Sequence, residues 1–383
     1  MFLAQLLTRN ETFIDRALQL YKSGFIPPNS YVLDVDQIQR NTESIVQTAK
    51  KERINLYFMT KQFGRNPVVY QSIVSAGIKK AVAVDPVEAL TLAQNGVELG
   101  HVGHLVQIPR YYMEPILRWR PEVVTVFSID AAREVSRVAS DLGYEQDLLL
   151  RVVRPDDYLY DAQEGGIPLN DLEEVVQTIS ALPNVRVVGV TSFPCVIVQD
   201  GVPTFTNNLK TLQLAKERLQ ELGVELKQVN APSVTCVATL PMLRAAGVTH
   251  GEPGHALTGS TPLHALPGQV EVPSYLYITE VSHYFNGYSY VYGGGYYARG
   301  HIQHALVGGS LTTAEHVEVA PLHAESIDYY LKIAGKFPAG TPVILAFRTQ
   351  MFVTRANVVP VTGVHEGRLK VAGIYNVEGK RIG

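Results

Sequence analysis

Leu56-Tyr57-Phe58-Met59-Thr60-Lys61-Gln62-Phe63 is the stretch on which the reading of this chain turns. An apolar and aromatic run of strand character stops at a lysine, and Gly64 with Asn66-Pro67 restarts the chain through a turn into a helix. Loss of hydration at the mouth of an apolar site favours the neutral amine, the form that attacks carbonyls, so a strand-end lysine is a candidate for Schiff-base chemistry. A solvated surface lysine is the plainer alternative. The segments downstream decide between them.

Moving outward from Lys61, short β-rich runs alternate with amphipathic helices, which is the pattern of a parallel α/β architecture. The runs fall at 56–60, 81–84, 102–106, 123–127, 148–153, 185–191, 226–229 and 248–250, with helices at 87–95, 131–142, 172–182 and 209–222. Eight β/α units in about 200 residues match a (β/α)8 TIM-type barrel, whose active sites lie at the C-terminal strand ends. Lys61 follows the first of these strands and belongs on that face.

Phosphate sites of such barrels are usually built by the loops after strands seven and eight. Here those loops are Asn230-Ala231-Pro232-Ser233-Val234-Thr235 and Gly251-Glu252-Pro253-Gly254-His255-Ala256-Leu257-Thr258-Gly259. Ser233 supplies a hydroxyl ahead of a helix start, and Gly254 allows close backbone approach to an anion. Each loop alone also reads as an ordinary βα turn.

Beyond about residue 270 the helical rhythm gives way to alternating strands rich in Tyr and Val, at 274–281, 288–292, 301–307, 343–347 and 368–372, with one helix near 326–334. Upstream, helical spacing over 10–22 starts at Asn10 as a cap, followed by a strand at 31–35 and a helix at 36–50. The expected division is an N-terminal helical extension (1–30), the barrel (31–268) and a mainly β C-terminal domain (269–383).

The 383 residues are 46% apolar and only 18% charged, enough for a large core. With 33 Lys and Arg against 36 Asp and Glu, the net charge of −3 gives no basic face to track nucleic acid, which points to a small substrate. Cys195 and Cys236 form no Cys-x-x-Cys spacing, against a disulfide framework or structural zinc and in keeping with a reducing cytoplasm. Polar residues from Thr8 to Glu11 come too early for a signal peptide, and no apolar run reaches the roughly 20 residues of a membrane span.

In the order of its parts, from about residue 31 onward, the chain resembles the alanine-racemase-like, fold-type III pyridoxal-phosphate enzymes, a group that includes the ornithine and diaminopimelate decarboxylases. Lys61 is similar in place to the family lysine that holds pyridoxal 5'-phosphate as a Schiff base. Ala83-Val84-Asp85-Pro86-Val87-Glu88-Ala89 resembles the family's strand and "EA" helix. Glu252-Pro253-Gly254-His255 resembles the decarboxylases' Glu-Pro-Gly-Arg, and Pro253 to Leu257 the racemases' Pro-Gly-Ile-Ala-Leu. The resemblance implies cofactor contacts at Lys61, Glu252 (ring nitrogen), Gly254, His255 and Ser233 (phosphate).

Two barrel positions depart from the pattern or match it weakly. Ser192, in Val190-Thr191-Ser192-Phe193, stands where both enzyme types commonly place a ring-stacking histidine, and is left as a ring or oxygen contact. Arg151 falls near the racemases' basic or carbamylated strand-five residue, with a salt-bridged arginine as the alternative for Arg151 or Arg154. Tyr158 and Tyr160 are candidate pocket residues.

Tyr290-Val291-Tyr292-Gly293-Gly294-Gly295-Tyr296-Tyr297-Ala298 resembles the racemase Val-x-Tyr-Gly-x-x-Tyr segment, which implies that Tyr292 is the acid/base opposite the lysine. The resemblance further implies a homodimer with a shared active site. Tyr296 is the nearest alternative, and a plain hairpin with packing tyrosines is the structural one. Arg348-Thr349-Gln350-Met351 lacks the Cys and Asp of the decarboxylases and leaves Arg348 as a candidate for carboxylate recognition. His101/His104 and His301/His304 have no thiolate or carboxylate at metal-site spacing, so no metal is expected. The expectation is a pyridoxal-phosphate enzyme acting at Cα of a small amino acid, racemization first. The alternatives are a decarboxylase or lyase favoured by Glu252, or a non-catalytic cofactor-binding protein.

Overall fold

Eight short runs, several of them rich in valine, leucine and alanine, fold as parallel strands: Asn55–Met59, Lys80–Ala83, Glu98–Val102, Val123–Val126, Gln146–Val153, Val185–Thr191, Gln228–Asn230 and His250–Gly251. Each pairs in parallel with the next, and the eighth pairs back onto the first, with Gly251 opposite Leu56. The sheet therefore closes into a TIM-type barrel, followed by a mainly β C-terminal domain. Strands covered on both faces need apolar residues at every position rather than at alternate ones, and Val123–Val126 is buried throughout.

The computed structural model describes residues 2–323 and 325–383. By internal contacts it divides into one unit of Met1–Ser44, Thr60–Ala76 and His255–Gly383 and another of Ile45–Met59 and Gly77–Gly254, and all eight barrel strands lie in the second.

Within the barrel unit, helix starts carry their own caps. Asp85 accepts the Glu88 amide at 2.7 Å ahead of the helix Pro86–Gln94, and the buried Glu88 carboxylate accepts the Val84 amide at 2.7 Å. Two otherwise orphaned donors are satisfied this way, with Pro86 at the first helical position, where its missing N–H costs nothing. Ser128 caps Ile129–Leu142, which ends at Gly143 in the left-handed region (φ +70°).

The third predicted run needs correction. The third barrel strand is Glu98–Val102, not 102–106, because Gly103 turns the chain at φ +86° and a Cβ there would lie 2.6 Å from the Thr125 carbonyl oxygen. His101 is thereby a strand residue.

In the other unit a nine-stranded sheet contains Ser30–Asp34, which runs parallel to Asn357–Thr362 and antiparallel to Tyr275–Phe285. The run expected at the start of the barrel region is thus a strand of this sheet. Two N-terminal helices, Phe2–Arg9 and Glu11–Lys22, bury Leu3, Leu6, Phe13, Ile14 and Leu18 against its Val32, Leu276, Ile344 and Val359. Each such fully buried side chain contributes about 1.5–3 kcal/mol relative to exposure. Asn10 occupies the cap position, but its side chain makes no cap bond. It donates instead to Asp34 Oδ2 (3.2 Å) and the Pro273 carbonyl (3.1 Å).

The expected helix at 326–334 is also corrected. Tyr330–Ala334 is a strand paired antiparallel with Tyr288–Tyr292. Leu331 and Ile333 are buried while their neighbours are not, a period of two that a helix cannot satisfy.

Candidate active site

The barrel unit gathers polar side chains at the C-terminal ends of its strands. Glu252 follows the eighth strand directly and is buried, as are Asn230 at the end of the seventh and His101 in the third. Glu252 Oε1 accepts from His101 Nδ1 at 2.6 Å and from Asn230 Nδ2 at 2.9 Å. The far ring nitrogen of His101, Nε2, meets Thr125 Oγ1 at 2.5 Å, and the Glu252 amide donates to Thr235 Oγ1 at 3.0 Å. Glu252 Oε2 is buried and, among the described residues, has no hydrogen-bond partner.

Burial alone would push the Glu252 carboxyl upward. The positive charges of His101 and His104, with the hydrogen bonds from His101 and Asn230, outweigh it and hold the group at about 2. A buried carboxylate oxygen with an open lone pair is an acceptor suited to an N–H or O–H donor that the described residues do not supply.

The loop after the seventh strand carries backbone strain. Ser233 and Val234 both have positive φ, +110° and +49°, and a β-branched residue rarely adopts that conformation. Thr239 Oγ1 holds the loop by donating to the Val234 carbonyl at 2.6 Å and accepting the Cys236 amide at 3.0 Å. Strain maintained by surrounding bonds marks functional loops, and successive N–H groups turned this way suit an anion. Ser233 Oγ donates to the Val196 carbonyl at 2.6 Å.

Ser192 is fully buried and donates to the Val152 carbonyl at 3.1 Å. Arg151 is buried without a carboxylate in salt-bridge range among the described residues, so the salt-bridged alternative does not hold for it. It donates to the Gln163 carbonyl at 2.8 Å and lies 4.7 Å over the Phe127 ring. Burial lowers its guanidinium to about 10. Arg154, by contrast, pairs with Asp156 at 3.0 Å on the surface. Tyr158 and Tyr160 meet edge to face at 5.3 Å, and Tyr160 lies 5.7 Å from Phe193.

In the other unit, Lys61 follows the first barrel strand by two residues, in a tight turn where the Phe63 and Arg65 amides both donate to the Thr60 carbonyl. The Lys61 carbonyl accepts the Phe352 amide at 3.3 Å, and Asn66 Oδ1 accepts the Val68 amide at 3.1 Å at the start of the helix Pro67–Ala76. Gly64 is required here: its φ is +60°, and a Cβ would lie 2.8 Å from Val358 Cγ2. His255 contacts Ser260 Oγ at 2.8 Å and Gln350 Nε2 at 3.3 Å. Burial, then the charges of Arg348, Lys61 and His264, lower it well below the ordinary histidine value, so it is neutral at pH 7.

Tyr292 ends the strand Tyr288–Tyr292 with a half-exposed ring, its carbonyl accepting from Thr279 Oγ1 at 2.5 Å. Asp328 accepts the Gly294 and Tyr296 amides at 3.1 and 3.0 Å and pairs with Arg355 at 2.6 Å, fixing the glycine-rich loop beyond Tyr292. Tyr296 turns its hydroxyl to the Ala298 carbonyl at 3.2 Å.

Glu252 thus has partners that sequence reasoning missed. The sequence shows His101 only as one of a histidine pair and gives no sign of Thr125. The one available signal was that Asn230, like Glu252, follows a predicted barrel strand, whereas His101 precedes the run expected at 102–106. Asp328 lay in a segment read as helix and gave none.

Residues 33–262 match the family model described as alanine racemase, N-terminal domain, and residues 276–371 that described as YhfX-like, C-terminal domain. An uncharacterized Escherichia coli K12 protein, YhfX, is 44% identical over 390 residues, covering all of both chains. Among solved structures, a Clostridium difficile 630 alanine racemase in complex with cycloserine superposes with a TM-score of 0.65 at 15% identity, over 91% of this chain and 98% of that one. A D-threonine aldolase from Filomicrobium marinum gives 0.65 at 15% over 92% and 95%, and a D-threo-3-hydroxyaspartate dehydratase from Delftia sp. HT23 gives 0.65 at 14% over 90% and 96%. Those likenesses establish the fold, and the reactions of the three proteins differ. With the barrel matched by the racemase model and the whole chain matched by YhfX, the protein belongs to the alanine-racemase-like family, in its YhfX-like branch.

Proposed function

We propose that the chain is a pyridoxal-phosphate-dependent enzyme acting at the Cα of a small amino acid. The observation that carries this reading is Glu252, a buried ionised carboxylate at the end of the eighth barrel strand with Oε2 open to a donor. It fits a protonated pyridine nitrogen, and the strained Ser233-Val234 turn fits a phosphate. Bound pyridoxal phosphate supplies an electron sink for a carbanion at Cα.

The chain's own residues would divide the work as follows. Lys61 provides the amine that binds the cofactor aldehyde and carries a proton to or from Cα on one side. Glu252 keeps the ring nitrogen protonated by placing a negative charge against it. Gly254 and Ser233 contribute to phosphate binding, and His255, being neutral, does so only through hydrogen bonds. Tyr292 is the proton carrier on the other side, supplied across a homodimer. Two carriers on opposite faces are what racemization requires.

A second reading, a decarboxylase or other lyase, is favoured by the same ionised Glu252, because a carboxylate at the ring nitrogen would deepen the electron sink for whichever bond at Cα breaks. The test is proton NMR in heavy water with cofactor-loaded protein and a panel of L- and D-amino acids, with Lys61→Ala as control. Loss of the Cα proton with appearance of the other enantiomer supports the racemase, whereas a decarboxylated or cleaved product supports the lyase. No change in any amino acid despite bound cofactor contradicts both and leaves a cofactor-binding protein.

A further inference from the structure

The Glu252 carboxylate is held by a chain of buried side chains that the reading above leaves without a task. His101 and Glu252 side chains are both 0% exposed, with Nδ1 and Oε1 2.6 Å apart. On the far side of the ring, Nε2 is 2.5 Å from Thr125 Oγ1, a hydroxyl with lone pairs to accept a ring N–H. Both imidazole nitrogens therefore have an acceptor, as the doubly protonated ring requires. Oε1 takes two donors, His101 and Asn230, and the backbone N–H of Glu252 is pinned to Thr235. Rotation of the carboxylate would break both Oε1 bonds at once, so Oε2 keeps a fixed aim.

We propose that His101 is the positioning residue for Glu252: its imidazolium, backed by Thr125, keeps the carboxylate ionised and oriented so that Oε2 is the acceptor for a cationic ring nitrogen. This rests on the reading of Glu252 as the ring-nitrogen partner. The titratable groups around His101 agree with it. His104 lies at 5.2 Å and Tyr57 at 6.3 Å between ring centroids, and His250 stacks on Tyr57 at 5.6 Å. Burial pushes the Tyr57 phenol up and lowers His250 to about 4, so both are neutral at pH 7. Glu252 is the carboxylate that His101 meets, Nδ1 to Oε1 at 2.6 Å. Without the imidazolium, the buried carboxylate keeps only His104 and the Asn230 hydrogen bond against the cost of desolvation, and its affinity for a proton rises.

The experiment compares wild type with His101→Asn, which keeps a donor near the Nδ1 position without the charge, and with Thr125→Val, which removes only the backing hydroxyl. Circular dichroism establishes that each variant is folded. In cofactor-free protein, carbon-13 NMR of the Glu252 carboxyl, assigned with Glu252→Gln, follows its ionisation. In loaded protein, absorbance against pH follows the ring nitrogen. The expected result is a Glu252 titration raised by about 1 unit or more in His101→Asn. The chromophore midpoint moves down by a similar amount, and Thr125→Val moves both in the same directions by less. An unchanged Glu252 titration in folded His101→Asn overturns the inference irrespective of the cofactor result. A shifted Glu252 titration in protein that forms no borohydride-reducible adduct at Lys61 overturns the ring-nitrogen role and, with it, the cofactor reading.

Discussion

Asn230 Nδ2 and Glu252 Oε1 lie 2.9 Å apart, joining the ends of the seventh and eighth barrel strands through their side chains. Asn230 is a neutral donor, so the bond steadies the carboxylate without cancelling its charge, which is left to act on a ligand. Glu252→Gln preserves size and hydrogen bonding but removes that charge. Cα proton exchange should slow about 10²-fold or more while the cofactor still binds, because the loss falls on charge developing during reaction. Solvent-deuterium exchange by NMR alongside fluorescence titration of the cofactor checks this, and an unchanged exchange rate would remove the electronic role of Glu252.

Tyr292 is tied through its carbonyl to Thr279 while its phenol is half exposed. If it carries the proton on one face, Tyr292→Phe should slow Cα exchange from one enantiomer by about 10²–10⁴-fold and leave exchange from the other enantiomer, served by Lys61, nearly unchanged. Equal slowing of both enantiomers would speak against a two-carrier racemase. Tyr296→Phe is the companion variant, and no loss is expected there.

His250 contacts Thr249 and stacks on Tyr57, and burial lowers it from 6.5 to about 4. The unfolded chain therefore takes up a proton between those values that the folded chain refuses. Stability is complete above about pH 6.5 and falls as the pH drops toward 4. Relative to His250→Gln, the wild type should lose about 2–3 kcal/mol across that window. Urea unfolding of both proteins at several pH values measures it, and parallel curves would refute the assignment.

How far the sequence could be read depended on whether a feature was local. The barrel strands showed because buried parallel strands are continuous apolar runs, and Asn66-Pro67 announced a real helix start at Pro67–Ala76. The third strand was misplaced because Val102 and Val106 are as apolar as Leu99, and only Gly103, pressed on Thr125, shows where the chain turns. Tyr330–Ala334 reads as helix in the sequence because five residues are too few to separate the two periods without knowing the partner strand, Tyr288–Tyr292. At the candidate site, Glu252 was legible from its motif. Its union with His101, 151 residues away in the chain, was not, since no local pattern encodes which strand ends meet.

The N-terminal helices belong to the core of their unit. Phe13 is fully buried among residues such as Leu6, Val32 and Leu276. Phe13→Ala should destabilise that unit by about 3–5 kcal/mol, the transfer of the ring plus the cavity it leaves. Thermal and chemical denaturation of the variant test this, and a loss below 1 kcal/mol would mean that the helix is only loosely attached.

The central claim is that Lys61 is the amine that holds the cofactor. Borohydride reduction of protein loaded with pyridoxal phosphate, followed by peptide mass spectrometry, tests it most directly. The account predicts one phosphopyridoxyl group, on the peptide containing Lys61, and none in Lys61→Ala. Label on other lysines alone, or equal labelling of the variant, would contradict it.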